Sequence, residues 1–366
     1  MASSQHHPAR IRRPAVREGW LERGPGRGGR GDEPFVEVSW DEALDLLSAE
    51  LRRVYQTFGS SAVYGGSYGW SSAGRFHHGQ SQVHRFLNCL GGYVAAAGDY
   101  SYGTSGVLLP HVVGTGPSGV MDQATTWDVI CAHTELFVSF GGLSEKNSAS
   151  SGGGVSRHAT RSEVSRARAA GCTFIDITLI QDDTFAEAGV EWIAPRPGTD
   201  AALMLALAFT LDAEGAADVE FLDRYTVGYD RFMSYVRGDV DGVPKSPAWA
   251  SAITQVPSTT IADLARRMAR SRTMLNLSWS MQRQPHGEQP IWLGVTLAAM
   301  LGQIGLPAAA SSTGTEQWRM SGSRSAFSAH QASRRAEIGS QPSSRSPASL
   351  TCCSTRAASF RTTGRR

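Results

Sequence analysis

The chain has 366 residues, room for two domains of ordinary size, and its 41% hydrophobic and 19% charged content excludes a disordered polymer. No run of about 18 or more apolar residues occurs, which excludes a transmembrane helix and any membrane partner that would need one. The formal net charge of +2 hides an asymmetry: residues 311–366 hold nine Arg and two Glu, or +7, so the remainder carries −5.

Residues 1–34, rich in Arg, Gly and Pro, read as an arm without regular structure. They offer no apolar core to a signal peptide, so a cytoplasmic location is expected. Ser39-Trp40-Asp41-Glu42 has the form of a capping box. Leu44, Leu47, Leu51 and Val54 follow at helical spacing and predict an amphipathic helix. A short strand at 62–64 leads into a glycine-rich loop, GGSYGWSSAG, and then a helix through Val83, Phe86, Leu87 and Leu90. Residues 135–140 read as a buried strand, 155–170 as a helix, 172–180 as a β run and 190–194 as another strand. Thr199-Asp200 is placed to cap a strongly apolar helix, AALMLALAFTL. Helix over 260–270, strand over 274–277 and a long apolar helix over 287–304 complete the pattern.

Strands alternating with helices predict an α/β fold: doubly wound, largely parallel sheets with flanking helices. In such folds ligands sit beyond the carboxyl ends of the strands. That rule singles out the loops at 65–74, 141–154, 178–183 and 278–287. The expected organisation is an arm over 1–34, an α/β region over 35–307 and a Ser/Arg-rich tail over 308–366, which has too little apolar content to order itself. The tail's charge could serve nucleic-acid binding, but no basic–aromatic pattern accompanies it, and none is expected.

Several constellations could carry chemistry. Tyr68 offers a phenol and Trp70 an indole N–H within the first glycine-rich loop; buried turn aromatics are the bland alternative. Ser101 stands in AAAGDYSYGTSG without the G-x-S-x-G pattern of a nucleophile elbow. As a metal ligand it would have to lose its proton, which a strongly Lewis-acidic ion can drive. His77, His78 and His84 are spaced poorly for a first-row metal and read as supporting residues. The chain uses lysine twice, at Lys146 and Lys245, against 33 Arg. Lys146 in GGLSEKN is a compact charge able to approach an anionic or electron-rich cofactor, or a solvated loop lysine. SWSMQRQPHGEQ gathers Trp279, Gln282, Arg283 and His286 at a helix start, which suits a phosphate-bearing cofactor. Asp200 could accept from a base edge or simply cap its helix. The five cysteines show no C-x-x-C spacing, so no iron–sulfur cluster or thiolate zinc site is expected.

Taken together YGGSYGW, GDYSYG, LLPHVVGTG, TTWDVICAHTELFVSFGG, PRPGTDAALMLA and WSMQRQPHGEQ resemble the dimethyl-sulfoxide reductase family of molybdoenzymes, over roughly residues 11–307. RFHHGQSQVHRFLN and TELFVSFGG followed by LSEKN look most like the branch of biotin sulfoxide and trimethylamine N-oxide reductases. The resemblance implies a molybdenum bis(molybdopterin guanine dinucleotide) cofactor with Ser101 as the protein ligand to the metal. It implies Tyr68 and Trp70 over the metal, Lys146 near a pterin, and Trp279, Gln282, Arg283 and His286 on the cofactor. Asp176 would be a further cofactor contact, and Asp200 would meet a guanine. It implies reduction of an S-oxide or N-oxide by oxygen-atom transfer, with electrons from an unidentified donor, in a monomer. The chain departs from the family at Tyr102, Leu179, Gln181 and Gly198, and at Ala308-Ala309-Ala310, where a glycine run is expected. The tail from about Ala308 is therefore read as out of frame, and the alternative reading of the chain is an inactive truncated fragment of such an enzyme.

Overall fold

The computed structural model describes residues 5–24, 31–66, 78–96, 101–122, 124–144, 159–184, 189–307 and 311–313. The chain divides into two compact units, one of Met1–Tyr68, Gly79–Ala96 and Ala329–Arg366, the other of Gly69–His78 and Ala97–Ser328.

In the first unit, β1 (Ala15–Arg17) pairs antiparallel with β2 (Phe35–Glu37), with α1 (Glu18–Arg23) between them. The helix α2 (Trp40–Phe58) begins where the capping box predicts, and the Ser39 hydroxyl accepts from the Glu42 N–H at 3.1 Å. Its apolar stripe differs from expectation: Leu44 is 55% and Leu47 51% exposed, because the described residues provide nothing to cover that face. The strand β3 (Tyr64–Gly65) lies slightly later than predicted, after a 3-10 turn, and pairs in parallel with β4 (Val94–Ala95) beside α3 (Gly79–Cys89). His84 stacks on Tyr93 at 5.2 Å, the supporting role expected of it.

The second unit opens with α4 (Gly103–Val112), α5 (Pro117–Asp122) and α6 (Trp127–His133), then enters a parallel sheet. The strands β5 (Leu136–Phe140), β6 (Thr173–Ile177), β7 (Glu191–Ile193), β8 (Thr273–Leu277) and β9 (Ser311–Thr313) lie in the order β7-β6-β5-β8-β9. Each adjacent pair is parallel. The helix α7 (Thr160–Ala169) connects β5 to β6. Between β7 and β8 run α8 (Asp200–Ala213), α9 (Val219–Tyr225), α10 (Tyr229–Arg237), α11 (Pro247–Thr254) and α12 (Ser258–Arg270), and α13 (Glu288–Met300) follows β8.

Side chains alternate across a strand, so each strand feeds two cores. Leu136, Val138, Phe140, Ile175, Ile177, Leu275 and Leu277 face α8, α12 and α13 in the larger cluster. Phe137, Phe174 and Met274 face Trp127 and Ile130 of α6 and Val164 and Ala167 of α7 in the smaller one. Helices on both faces of a parallel sheet make the fold doubly wound, as the pattern of elements predicts.

Three expectations need correction. Thr199 does not cap α8 with its side chain; its hydroxyl donates instead to the Arg196 carbonyl at 2.6 Å, and Asp200 is the first helical residue. The last long helix stops at Met300 rather than 304, where the Met300 carbonyl accepts from the Asp218 N–H at 2.8 Å. The tail, expected to lack structure from residue 308, instead supplies β9, because the β8 edge presents backbone groups in register with Ser311, Ser312 and Thr313.

Lys245, the lysine without a proposed role, is 2% exposed. Its ammonium lies 4.3 Å from the Tyr235 ring centre and 5.7 Å from that of Trp249, and pairs with Asp241 at 2.7 Å. The ammonium is thus held as a compact charge against two aromatic faces. The hydrogen bond from Lys245 holds the Asp241 carboxyl below its ordinary value of 3.8. A depressed carboxyl contributes stability that is present above its unfolded pKa and is lost as pH falls through the folded one. Asp241→Asn is therefore expected to lower the melting midpoint at pH 7, with the gap to the unsubstituted chain closing as the pH is taken below that value. Parallel thermal scans from pH 7 to pH 3 check it.

Candidate functional site

The strand order places a topological switch point between β5 and β8: from β5 the chain moves outward to β6 and β7, then returns to β8 on the other side. Crevices beyond the carboxyl ends of strands at such a point are where ligands bind in open α/β sheets. The loop after β5 begins at Gly141, whose N–H donates to the Ile177 carbonyl at 2.9 Å, while the Ser278 N–H after β8 donates to the Phe140 carbonyl at 2.8 Å. The loops leaving β5 and β8 are thus tied at their roots.

Behind this point runs a buried polar row. Ser139, Asp176 and Asn276 share one register level on β5, β6 and β8, and Asn276 donates to the Ser139 hydroxyl at 2.9 Å. Asp176 is 1% exposed and lies opposite Trp192, whose indole donates to the Thr178 carbonyl at 2.8 Å. A polar row inside an otherwise apolar layer invites registration of the strands around it. Of its members the sequence singled out Asp176 alone; Ser139 and Asn276 sit in runs that read as plain buried strands.

The loop after β8 carries the short 3-10 turn Trp279–Gln282 and meets the Ser101 turn. The Gln282 side-chain oxygen accepts from the Ser105 N–H at 2.9 Å. Arg283 Nε donates to the Ser101 carbonyl at 3.3 Å, and the Trp279 and Tyr102 rings lie 4.8 Å apart at 59°. Ser101 is half-buried, Gln282 buried and Arg283 exposed. Tyr102, one of the departures from the family pattern, thus earns a packing partner that a smaller side chain would not reach.

Gln284 continues the same segment toward α8. Its amide donates to the Met281 carbonyl at 2.8 Å, and its side chain lies near enough to the Asp200 carboxyl to favour the charged form. Burial pushes that carboxyl above its usual range, opposed by its own backbone N–H and by Gln284. Gly198 leaves the room: a Cβ there would come within 2.9 Å of the Gln284 side-chain oxygen.

Of the sequence-predicted site residues, the fold therefore gathers Ser101, Trp279, Gln282 and Arg283, reaches Asp200 through Gln284, and puts Asp176 in the sheet beneath. His286 is not gathered in: at φ 58° its side chain is exposed, 3.7 Å from Glu288. Tyr68, Trp70 and Lys146 lie outside the described residues, as does His77.

The family model for molybdopterin oxidoreductases matches residues 10–350, running past Ala308 into the tail. The chain belongs to the molybdopterin oxidoreductase family. It is 45% identical over 306 residues to the dimethyl sulfoxide/trimethylamine N-oxide reductase of Rhodobacter capsulatus, covering 83% of this chain and 37% of that protein. It is 43% identical over 300 residues to the biotin sulfoxide reductase of Cereibacter sphaeroides, covering 81% and 40%. Among solved structures, acetylene hydratase from Pelobacter acetylenicus shares the fold, with a TM-score of 0.52 at 21% identity over 84% of this chain and 37% of that one. The chain thus spans between 37% and 40% of the length of these curated relatives. No helix among the described residues is long and apolar enough to cross a membrane.

Proposed function

We propose that this chain carries the metal-proximal cofactor site of an S-oxide or N-oxide reductase, with Ser101 as the protein ligand to molybdenum. The observation that supports it best is the convergence of Trp279, Gln282 and Arg283 on the turn that bears Ser101, at the switch point of the sheet. The residues present fit the cofactor. Gln282 Nε2 and Ser105 Oγ are buried beside that turn without a hydrogen-bond partner among the described residues, which polar groups in a finished interior seldom are. Among the described residues no group of three or more His, Cys, Asp or Glu could hold a metal alone. A single hydroxyl ligand with the remaining donors brought by a cofactor suits that set.

When bound, the cofactor would supply two-electron oxygen-atom transfer chemistry. The chain's own residues bind and orient. Ser101 would hold the metal through its deprotonated oxygen, and Arg283 donates to the carbonyl of the same residue. Asp200, beside Gln284, would accept from the edge of a guanine. Lys146, Asp176, Trp279 and Gln282 would contact the rest of a bis(molybdopterin guanine dinucleotide). Tyr68 and Trp70 would donate hydrogen bonds to the substrate oxygen, stabilising charge that develops there. We further infer a monomer working in the cytoplasm without an iron–sulfur cluster, taking electrons from a separate donor.

Coverage of under half of the curated relatives favours a second reading, an inactive fragment. Expression in a host that makes the cofactor separates the two. The chain is expected to copurify with molybdenum and to release GMP. Loss of an outer-shell partner alone costs about ten-fold or more in metal affinity, and Ser101→Ala should cost at least as much while keeping the nucleotide. A chain lacking both molybdenum and GMP would sink the first reading and leave the second.

A further inference from the structure

We propose that Gln282 is a positioning residue for Ser101, acting as a helix cap delivered from 177 residues away. The helix α4 is a poor helix in its own right. It contains Gly103, Gly106 and Pro110, and its N-cap residue, Tyr102, makes no side-chain cap. The first N–H groups of a helix have no partner within it, and a capping side chain ordinarily supplies one at the third helical residue. Here that residue is Ser105, and its N–H is met by the Gln282 side-chain oxygen at 2.9 Å.

Ser101 stands two residues before α4 begins, so whatever fixes the first turn of the helix fixes the backbone from which the Ser101 hydroxyl projects. Three groups of one short segment reach that turn: Trp279 on Tyr102, Gln282 on Ser105 and Arg283 on Ser101. Of the three, only Gln282 is buried, at 5% exposure. The Arg283 bond is long, at 3.3 Å, and its side chain competes with water. The Gln282 bond is shielded from that competition, and losing it strands a buried N–H. The segment after β8 is in this way the jig that sets the Ser101 turn, and Gln282 is its effective contact.

The inference rests on the proposed role of Ser101 but is tested without cofactor, by amide hydrogen exchange on the full chain. Gln282→Leu removes the acceptor. Peptides covering residues 101–109 are expected to exchange about ten-fold faster than in the unsubstituted chain, while those covering β5 and β8 keep their protection. Gln282→Glu retains an acceptor oxygen in either protonation state and should restore exchange to within about two-fold of the starting rate. A cavity or packing defect would not be repaired selectively by that variant. Should Gln282→Leu fail to fold, Gln282→Asn, which withdraws the amide by one methylene, should give the same local acceleration. Unchanged exchange in residues 101–109, or Gln282→Glu exchanging as fast as Gln282→Leu, overturns the positioning and leaves the ligand reading standing. A chain that never binds molybdenum does the reverse.

Discussion

Phe137→Ala is expected to destabilise the second unit by about 3–5 kcal/mol, a large share of the roughly 5–15 kcal/mol that holds a domain together. Phe137 is the second residue of β5, the central strand of the sheet, and is fully buried. Its ring lies 5.1 Å from that of Phe174 on β6 and 6.2 Å from that of Trp127 on α6, at interplanar angles of 27° and 12°. Met274 of β8 and Val164 and Ala167 of α7 close the same cluster. Truncation removes both transfer free energy and the ring contacts, and leaves a cavity that three strands and two helices must collapse to fill. Urea unfolding measures the loss. A second readout comes from Cys172, in the same cluster, whose thiol burial pushes up to about 12. Peptide-resolved thiol labelling should be slow at Cys172 in the unsubstituted chain and accelerate as the cluster loosens. A loss below about 1 kcal/mol, with Cys172 still protected, would mean the cluster is not the support of the sheet that its burial implies.

The strands that build this core are legible because they are short apolar runs bounded by turn residues. LFVSF, TFIDI, EWI and TMLNL each fall where the alternation of elements puts them. The helix at Trp40 is legible through Ser39 and Glu42, whose spacing encodes its own cap. Where the information is not local, the sequence alone falls silent. The helix α4 escapes notice because two glycines and a proline argue against it, and the side chain that caps it is Gln282. The short helices over residues 219–254 pass unremarked, and with them the box that buries Lys245. The strand order, and so the switch point, depends on crossovers that composition does not record.

The site divides along the same line. Ser101, Trp279, Gln282 and Arg283 stood out in the sequence as polar groups in two loops, and the family resemblance gave them roles, but their convergence is a product of the fold. His286 came from the same motif, yet its φ of 58° turns it out to solvent. Gln284, which lies beside Asp200, had no signal of its own: it is one glutamine among several polar residues, and Asp200 lies 84 positions away.

Gly141→Ala is expected to cost about 2–4 kcal/mol and to disturb the Ser101 turn from a distance. Gly141 has φ +83°, where an L side chain is strained by about 1–2 kcal/mol. Crowding adds to that. A Cβ at this position would come within 2.7 Å of Ser278 Cβ and 2.9 Å of Met281 Cγ, on the segment that leads into Gln282. The Gly141 N–H to Ile177 carbonyl bond resists a shift on the β5 side and the Ser278 N–H to Phe140 carbonyl bond holds the root of the other loop, so the strain passes to the turn beyond Ser278. Gly215→Ala is the control. Gly215 has φ +64°, and nothing lies within 4 Å of its missing Cβ, so it carries the backbone cost alone, about 1 kcal/mol. The difference between the two variants in urea unfolding isolates the crowding. Amide exchange over residues 101–109 should rise in Gly141→Ala and stay unchanged in Gly215→Ala. Equal costs in the two variants, with residues 101–109 undisturbed in both, would show that the loops after β5 and β8 yield independently, and the switch point could not then act as one rigid seat for the turn that carries Ser101.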